Sequence, residues 1–476
     1  MTVSDLLDVI RSTRQTGQNE AAIDAIRRLM AMQPKLGAGW EEVLNHALGT
    51  ADEDIALDIA KALQAELPKD PKPVLILAER FSRVGRSDTA LQLVDRLKTL
   101  APPNPALDYF HGVYSGHLGK IDDARYDFRR AIGRKPDFGD AWAMLAASGG
   151  VEGKDAQALE LLVNSRGGHG MPGAAYALGA LRHTQDDPDA AWQAWEAANA
   201  SAREGKPFNR AGELAAMQDI EAGDQEIPDP IPPYRAVAEG ARPIFIVGPP
   251  RSGTSLTEQI IAATPGTRAL GETLLSRIST WPLGNLTRPA MQAAGAFQEG
   301  GVDWGQMGDI YRHLSSLRSE GAPVITDKGA LLHLFVGVLA RMLPDAKFVW
   351  VKRDPRDVAF SAWRAHFTDG NRWRHDFADS AAYLAGHEKL MTYWEARLGD
   401  RLYRLEYETL VRDPQPAVDK LLDFLDLPQI RLETADFSGA SVPTASFAQI
   451  RGKITPKSVG SWQPYAERIT PHFGKA

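Results

Sequence analysis

The stretch "PIFIVGPPRSGTSLTEQII", which begins at Pro243, sets glycines, hydroxyls and one cation at a spacing suited to an anion. Gly248 and Gly253 frame the turn, Arg251 and Ser252 lie inside it, and Thr254 and Ser255 follow. A glycine-rich turn between a strand and a helix offers backbone N–H groups and a helix N-terminus to a phosphate or sulfate. The spacing nearly matches the nucleotide-binding pattern G-x-x-x-x-G-K-[ST]. Thr254 stands where that pattern has its lysine. The loop thus keeps an anion cradle and loses the residue that reaches a γ-phosphate, which counts against ATP or GTP hydrolysis.

Two later segments extend this pattern, and together the three carry a family resemblance. "VGPPRSGTSLTEQII" resembles the 5′-phosphosulfate loop of sulfotransferases that use 3′-phosphoadenosine 5′-phosphosulfate (PAPS). "VWVKRDPRDVAFSAW" resembles their second signature, which holds the donor's 3′-phosphate. "YETLVRDPQPAVDKLLDFLDLP" resembles the tyrosine-bearing segment that follows. The resemblance runs from about Pro243 to Tyr465, and within the fold it is similar to protein-tyrosine sulfotransferases. A tetratricopeptide-repeat region joined to such a domain is a familiar bacterial layout.

The resemblance implies a role for each matched residue. Arg251 places a cation on the sulfate and the bridging phosphate oxygen. Gly253 lets the backbone approach, while Ser252, Thr254 and Ser255 complete the 5′ cradle. Arg353 and Ser361, eight residues on, grip the 3′-phosphate; the plain alternative for Arg353 is a surface ion pair with Asp354 or Asp357. Lys328, in "ITDKGALLH", stabilises charge on the leaving phosphate, unless it is a solvated strand-end lysine. Small-molecule cytosolic members carry a catalytic His just after that lysine, but here Gly329 and Ala330 follow. The base then falls to Glu272 of "RALGETLLSR", as in the tyrosine-directed members, a role worth roughly 10²–10⁴ in rate. The alternative is that Glu272 caps the helix "TLLSRIST". No spacing supports His313, His333 or His366 as the base. Tyr407 and Ser446 match nucleotide-contacting positions. Ser461 departs from the Lys or Arg that the family sets before its tryptophan, so Arg451, Lys453 or Lys457 is expected to supply that contact.

These residues imply PAPS as donor, its desulfated form PAP as product, and a hydroxyl-bearing acceptor. Peptide tyrosine, carbohydrate and small-molecule alcohol all stay open as acceptors. No His/Asp/Glu cluster has metal-ligand spacing, so no metal is expected. Two rivals remain: a deviant P-loop kinase or NTPase, and a non-catalytic repeat scaffold with a degenerate nucleotide domain.

The elements that must position this chemistry fall in two halves. "IFIVG", "APVITD", "KFVWV" and "RLYRLEYETL" read as strands alternating with helices, which predicts a mainly parallel sheet. Ligands bind beyond the carboxyl ends of such strands. Upstream, Gly85, Gly119 and Gly153 recur at a constant 34, as do Ala22, Ala56, Ala90, Ala124 and Ala158. That period is the tetratricopeptide repeat's. In "YFHGVYSGHLGKIDDARYDFRRAIGRKP", Gly112 permits close helix packing and Phe128 fills the gap. The fold class expected is an α-helical solenoid followed by a P-loop-like α/β domain. The boundaries expected are repeats over 1–205, a Pro-rich connector over 206–240 and the α/β domain over 241–476. The repeats are expected to contact a protein partner or form a homodimer.

Bulk composition sets the compartment. Net charge is −7, cysteine is absent, and no Lys/Arg block suggests nucleic acid. The first residues have no basic stretch before an apolar core, and no apolar run is long enough for a membrane span, so a cytoplasmic location is expected.

Overall fold

The computed structural model describes residues 1–476 except 17–18, 50–52, 67–70, 84, 166–170, 205–206, 228–239, 285, 299, 330, 368–369, 436–453 and 475–476. The N-terminal part is a run of helix pairs. Lys72–Arg83 is followed by Ser87–Leu100, Pro105–His117 by Ile121–Arg134, and Pro172–Thr184 by Pro188–Arg203. Gly85 and Gly119, at φ +80° and +83°, make the left-handed turns inside the first two pairs. A Cβ on Gly112 would come within 2.8 Å of the Phe128 ring. The small residue and the large one therefore form a single packing unit, and Ala124 and Ala131 are fully buried beside them.

The C-terminal part is built on five strands: β1 (Arg242–Val247), β2 (Thr267–Glu272), β3 (Val324–Lys328), β4 (Lys347–Lys352) and β5 (Leu402–Glu406). They lie in the order β2-β3-β1-β4-β5, and every pairing is parallel. Phe245, Val247, Phe348 and Trp350 face one core, while Ile244, Ile246, Val349 and Val351 face the other. Both faces are covered, as a parallel sheet requires. Two expectations need correcting. "RLYRLEYETL" is a strand only to Glu406, after which Tyr407–Arg412 is a helix. β2 was not anticipated, because "TRALGE" is short, carries Arg268 and Gly271, and pairs on one side only.

The expected connector also differs. A 17-residue helix, Arg210–Glu226, occupies much of 206–240 and buries Met217, Ile220 and Asp224. Asp224 accepts hydrogen bonds from Arg341, from the Tyr393 hydroxyl at 2.7 Å and from Arg397 at 3.2 Å. The proline-rich residues 228–239 lie outside the described residues.

The last helix pair is joined to the α/β part by one core. Trp192 lies 4.4 Å from Trp363, and Trp195 meets Phe360 edge-on at 5.8 Å, ring centre to ring centre. Asn199 donates to the Trp363 carbonyl at 2.9 Å and accepts from Tyr176 at 2.8 Å. Arg374 donates to the Tyr176 hydroxyl and to the Ala365 carbonyl. These bonds occupy carbonyls at the end of the helix Pro355–Trp363, the helix that carries Ser361. Among the described residues, no helix is long and apolar enough to cross a membrane.

Trp195 is 1% exposed in this shared core. Trp195→Ala should lower stability by about 3–5 kcal/mol, the usual cost of emptying a large aromatic site. Urea unfolding should show tryptophan signals from both halves moving to lower denaturant together. An α/β transition left unmoved would show that the two halves unfold independently.

Candidate active site

Each strand of the sheet ends at one of the residues that the sequence singles out. β1 runs into the loop from Gly248 to Gly253, β2 ends at Glu272, β3 at Lys328, β4 just before Arg353 and β5 just before Tyr407. Because all five strands point the same way, these groups gather along one edge of the sheet. Glu272 and Lys328 fall on one side of the loop, and Arg353 and Tyr407 on the other.

The loop is held in a conformation few residues accept. Arg251 has φ +75° and Gly253 φ +112°. A Cβ on Gly253 would lie 2.5 Å from the Tyr407 ring, and one on Gly248 would lie 2.5 Å from Ser252 Oγ. Glycine is thus required at Gly253 by both dihedral and space. Ser252 is fully buried and its hydroxyl has no hydrogen-bond partner among the described residues. Thr254 and Ser255 open the helix Thr254–Ala262, whose N-terminus faces the loop.

Cations crowd the β4 side of the loop. Arg251 Nε donates to Ser361 Oγ at 2.9 Å. Arg353 donates to the Arg251 carbonyl at 2.8 Å and the Ser458 carbonyl at 2.7 Å, and stacks 4.4 Å above the Tyr407 ring. The expected alternative for Arg353, an ion pair with Asp354 or Asp357, does not form. Asp354 binds Arg356, and Asp357 accepts from Gly460 N at 2.7 Å and Ser461 Oγ at 3.0 Å. Burial and the neighbouring Arg364 and Arg353 pull the Arg251 pKa down to about 10. Arg364 is lowered too, by burial first. Arg364 was not anticipated; its signal is its position one helical turn beyond Ser361.

Acidic groups gather on the other side. Lys328 is only 2% exposed, which removes the solvated-lysine alternative. Its ammonium lies 3.5 Å from Glu258 and 3.4 Å from Glu272. Burial alone would lower its pKa, but the two carboxylates outweigh burial and raise it. Glu258, also unanticipated, is buried on the loop helix and accepts from Thr326 Oγ1 and Gly271 N, both at 3.2 Å. Burial raises its pKa. Glu272 is a strand-end residue rather than a helix cap: Leu274 holds the cap position of the helix Leu275–Ser279.

The remaining expected positions separate. Tyr407 supports Gly253 and Arg353, and its hydroxyl is 2.7 Å from Ser458 Oγ. Lys457 is exposed in the closing segment, beside Ser458. Ser446, Arg451 and Lys453 lie outside the described residues. His313 is exposed, His333 is buried, and His366 bonds to Asp140 at 2.7 Å. Among the described residues, no group of three or more His, Asp or Glu could hold a metal ion.

Residues 243–431 match the family model described as "Sulfotransferase family". The match lies wholly within the C-terminal part of the chain and takes in strands β2 to β5. An uncharacterised protein of Aquifex aeolicus is 29% identical over 244 residues, 48% of this chain but 31% of that protein. A Caenorhabditis briggsae protein, provisionally named a protein-tyrosine sulfotransferase, is 26% identical and covers 46% of this chain and 80% of its own length. The Drosophila melanogaster protein-tyrosine sulfotransferase is 27% identical over 39% of this chain and 38% of its own. This chain therefore spans about a third of the Aquifex and Drosophila proteins. The solved sulfotransferase domain of the Synechococcus PCC 7002 olefin synthase is 22% identical, covers 48% of this chain and 91% of its own, and has a TM-score of 0.34.

Burial pushes one carboxyl behind the candidate site up towards neutrality. Burial raises Asp327 to about 7, against the lowering effect of Thr273 and Tyr311. The folded value lies above the ~3.9 of an unfolded aspartate, so the folded state holds an extra proton between the two. This group's contribution to stability is complete below about pH 4 and is lost as pH rises towards 7. Asp327→Asn removes the titration. The Tm of wild type relative to Asp327→Asn should therefore fall from about pH 4.5 to about pH 7.5. A pH-independent difference would contradict the raised value.

Proposed function

We propose that the protein transfers a sulfuryl group from PAPS to a hydroxyl acceptor, with Glu272 as base. The observation that carries this is the order of groups along the sheet edge. An anion cradle without a γ-phosphate lysine lies between a carboxylate–ammonium pair on one side and clustered guanidiniums on the other. The cradle fits a 5′-phosphosulfate through the Gly253 turn, Ser252, Thr254, Ser255 and the helix N-terminus. Arg353, Ser361 and Arg364 fit a second phosphate, while Arg251, in the loop and tied to Ser361, serves the sulfate and the bridging oxygen. Arg251 and Arg364 are pulled below their usual basicity, partly by other guanidiniums, so a bound anion relieves repulsion.

PAPS supplies a sulfuryl group on a phosphate leaving group. The sulfur–oxygen bond to that phosphate breaks as the bond to the acceptor oxygen forms, and the acceptor's proton passes to Glu272. Glu272 suits this role because its side chain is 48% exposed while its partner Lys328 is buried. Lys328 stays charged, held by Glu258 and Glu272, and faces the negative charge that builds on the departing group. A kinase or NTPase would need a cation at Thr254.

The relatives named as protein-tyrosine sulfotransferases support a peptide tyrosine as acceptor. So do three exposed apolar side chains in the segments after Glu272 and Lys328, namely Leu274, Trp281 and Leu331. An aromatic acceptor would cover them. On this reading the repeats bring the peptide, and the absence of cysteine accords with a reducing, cytoplasmic setting.

PAP should bind more tightly than Mg·ATP in calorimetry, and equal or tighter binding of Mg·ATP would sink this proposal. Arg353→Ala should weaken PAP by about 10–100-fold, as expected for a charge-assisted contact. Glu272→Gln should leave PAP affinity within about twofold and cut turnover by roughly 10²–10⁴. Loss of PAP affinity in both variants would make Glu272 structural.

A further inference from the structure

β2 and β3 do not pair in regular register. Thr267, Arg268 and Ala269 face Val324, Ile325 and Thr326 in turn, and then Glu272 faces Lys328. Three steps along β2 match two along β3, so β2 carries one extra residue. Regular pairing would set Gly271 opposite Lys328 and carry Glu272 past it. The bulge is thus what brings the carboxylate to the ammonium. Such bulges bend a strand and re-aim a side chain.

Two anchors pin this bulge. Gly271, at φ +71°, turns its N–H to Glu258 Oε1 at 3.2 Å. Thr273 follows Glu272 directly, and its hydroxyl reaches both oxygens of Asp327, at 2.9 and 2.8 Å. The same hydroxyl oxygen accepts from Leu275 N at 3.1 Å. Tyr311 donates to Asp327 Oδ2 at 3.0 Å from the helix Trp304–Ser319. Asp327 is 1% exposed, so it does not reach the acceptor. Burying a carboxyl is costly unless its bonds are made, and here the bonds it makes are to the residue beside Glu272.

We propose that Asp327 and Thr273 are positioning residues that lock the end of β2 so that Glu272 stands against Lys328. This rests on Glu272 being the base. Asp327 acts only through Thr273, and Thr273 only through the strand end that carries Glu272. The consequence is selective: the donor cradle on β1 and the 3′ side on β4 do not depend on the lock.

The test uses the full chain with PAPS as donor. It measures transfer to 4-nitrophenol and donor hydrolysis to PAP, together with PAP calorimetry and crystal structures of Thr273→Val and Thr273→Ser. Thr273→Val keeps the side-chain shape and removes the hydroxyl. It should cut kcat about tenfold or more and leave PAP affinity within about twofold, and Thr273→Ser should recover most of the loss. In the Glu272→Gln background, Thr273→Val should cost less than about twofold, because two groups acting through one another are not additive. A full additional loss in that background overturns the proposal. So does a Thr273→Val structure in which Glu272 still contacts Lys328, whatever the turnover. Wild-type activity in Glu272→Gln would instead remove the base itself, a separate failure.

Discussion

Burial first, and then the neighbouring guanidiniums, lower the basicity of Arg251 and Arg364, with Arg353 acting on both. Like charges repel, and the fold must hold them against the repulsion. The restraints are visible. Arg251 takes a positive φ and is tied to Ser361. Arg353 is fixed by two carbonyls and the face of Tyr407. The Tyr407 ring can lie there because Gly253 has no Cβ to displace it. The helix bearing Ser361 is secured at its far end by Asn199 and Arg374. On the proposed reading, an anion bound here would relieve this repulsion, which is how preorganised sites gain affinity.

The other side of the loop balances charge in the opposite sense. Lys328 is buried between two carboxylates, so its ammonium is satisfied before any ligand arrives. A buried ammonium with no partner would lose its proton instead. Glu258 serves to keep Lys328 charged, and this leaves Glu272 free to face solvent. Parallel topology makes the division possible. Strands β2 and β3 deliver the acidic side, β4 and β5 the basic side, and β1 places the loop between them.

Much of this was legible in the sequence because glycine and proline mark the loops and β-rich apolar runs mark the buried strands. "IFIV" and "FVWV" read directly as strands, since both of their faces are covered and every residue in them is apolar. The period of 34 exposed the helix pairs, and Gly112 with Phe128 showed why that spacing matters. β2 was hidden because an edge strand with a bulge keeps no alternation to read. Glu258 and Asp327 were hidden for another reason. Both are polar residues at buried positions, and only the partners that satisfy them, far away in sequence, show what they do. The helix Arg210–Glu226 was masked by the proline cluster that follows it.

The repeats also take on a different meaning from that of a tethered module. A solenoid that merely presents an acceptor needs only a small, polar contact with its catalytic neighbour. Here Trp192 and Trp195 enter the same core as Phe360 and Trp363, and Asn199 reaches the carbonyl just before Arg364. Arg364, Ser361 and Arg353 belong to or flank one helix, Pro355–Trp363. Whatever moves the last helix pair therefore acts on the C-terminal end of the helix, where Ser361 and Arg364 lie. The earlier repeats also touch the α/β part, as where Asp140 meets His366 at 2.7 Å. The solenoid's last pair is in this sense a wall behind the helix that bears Ser361, and the earlier pairs are what that wall is attached to.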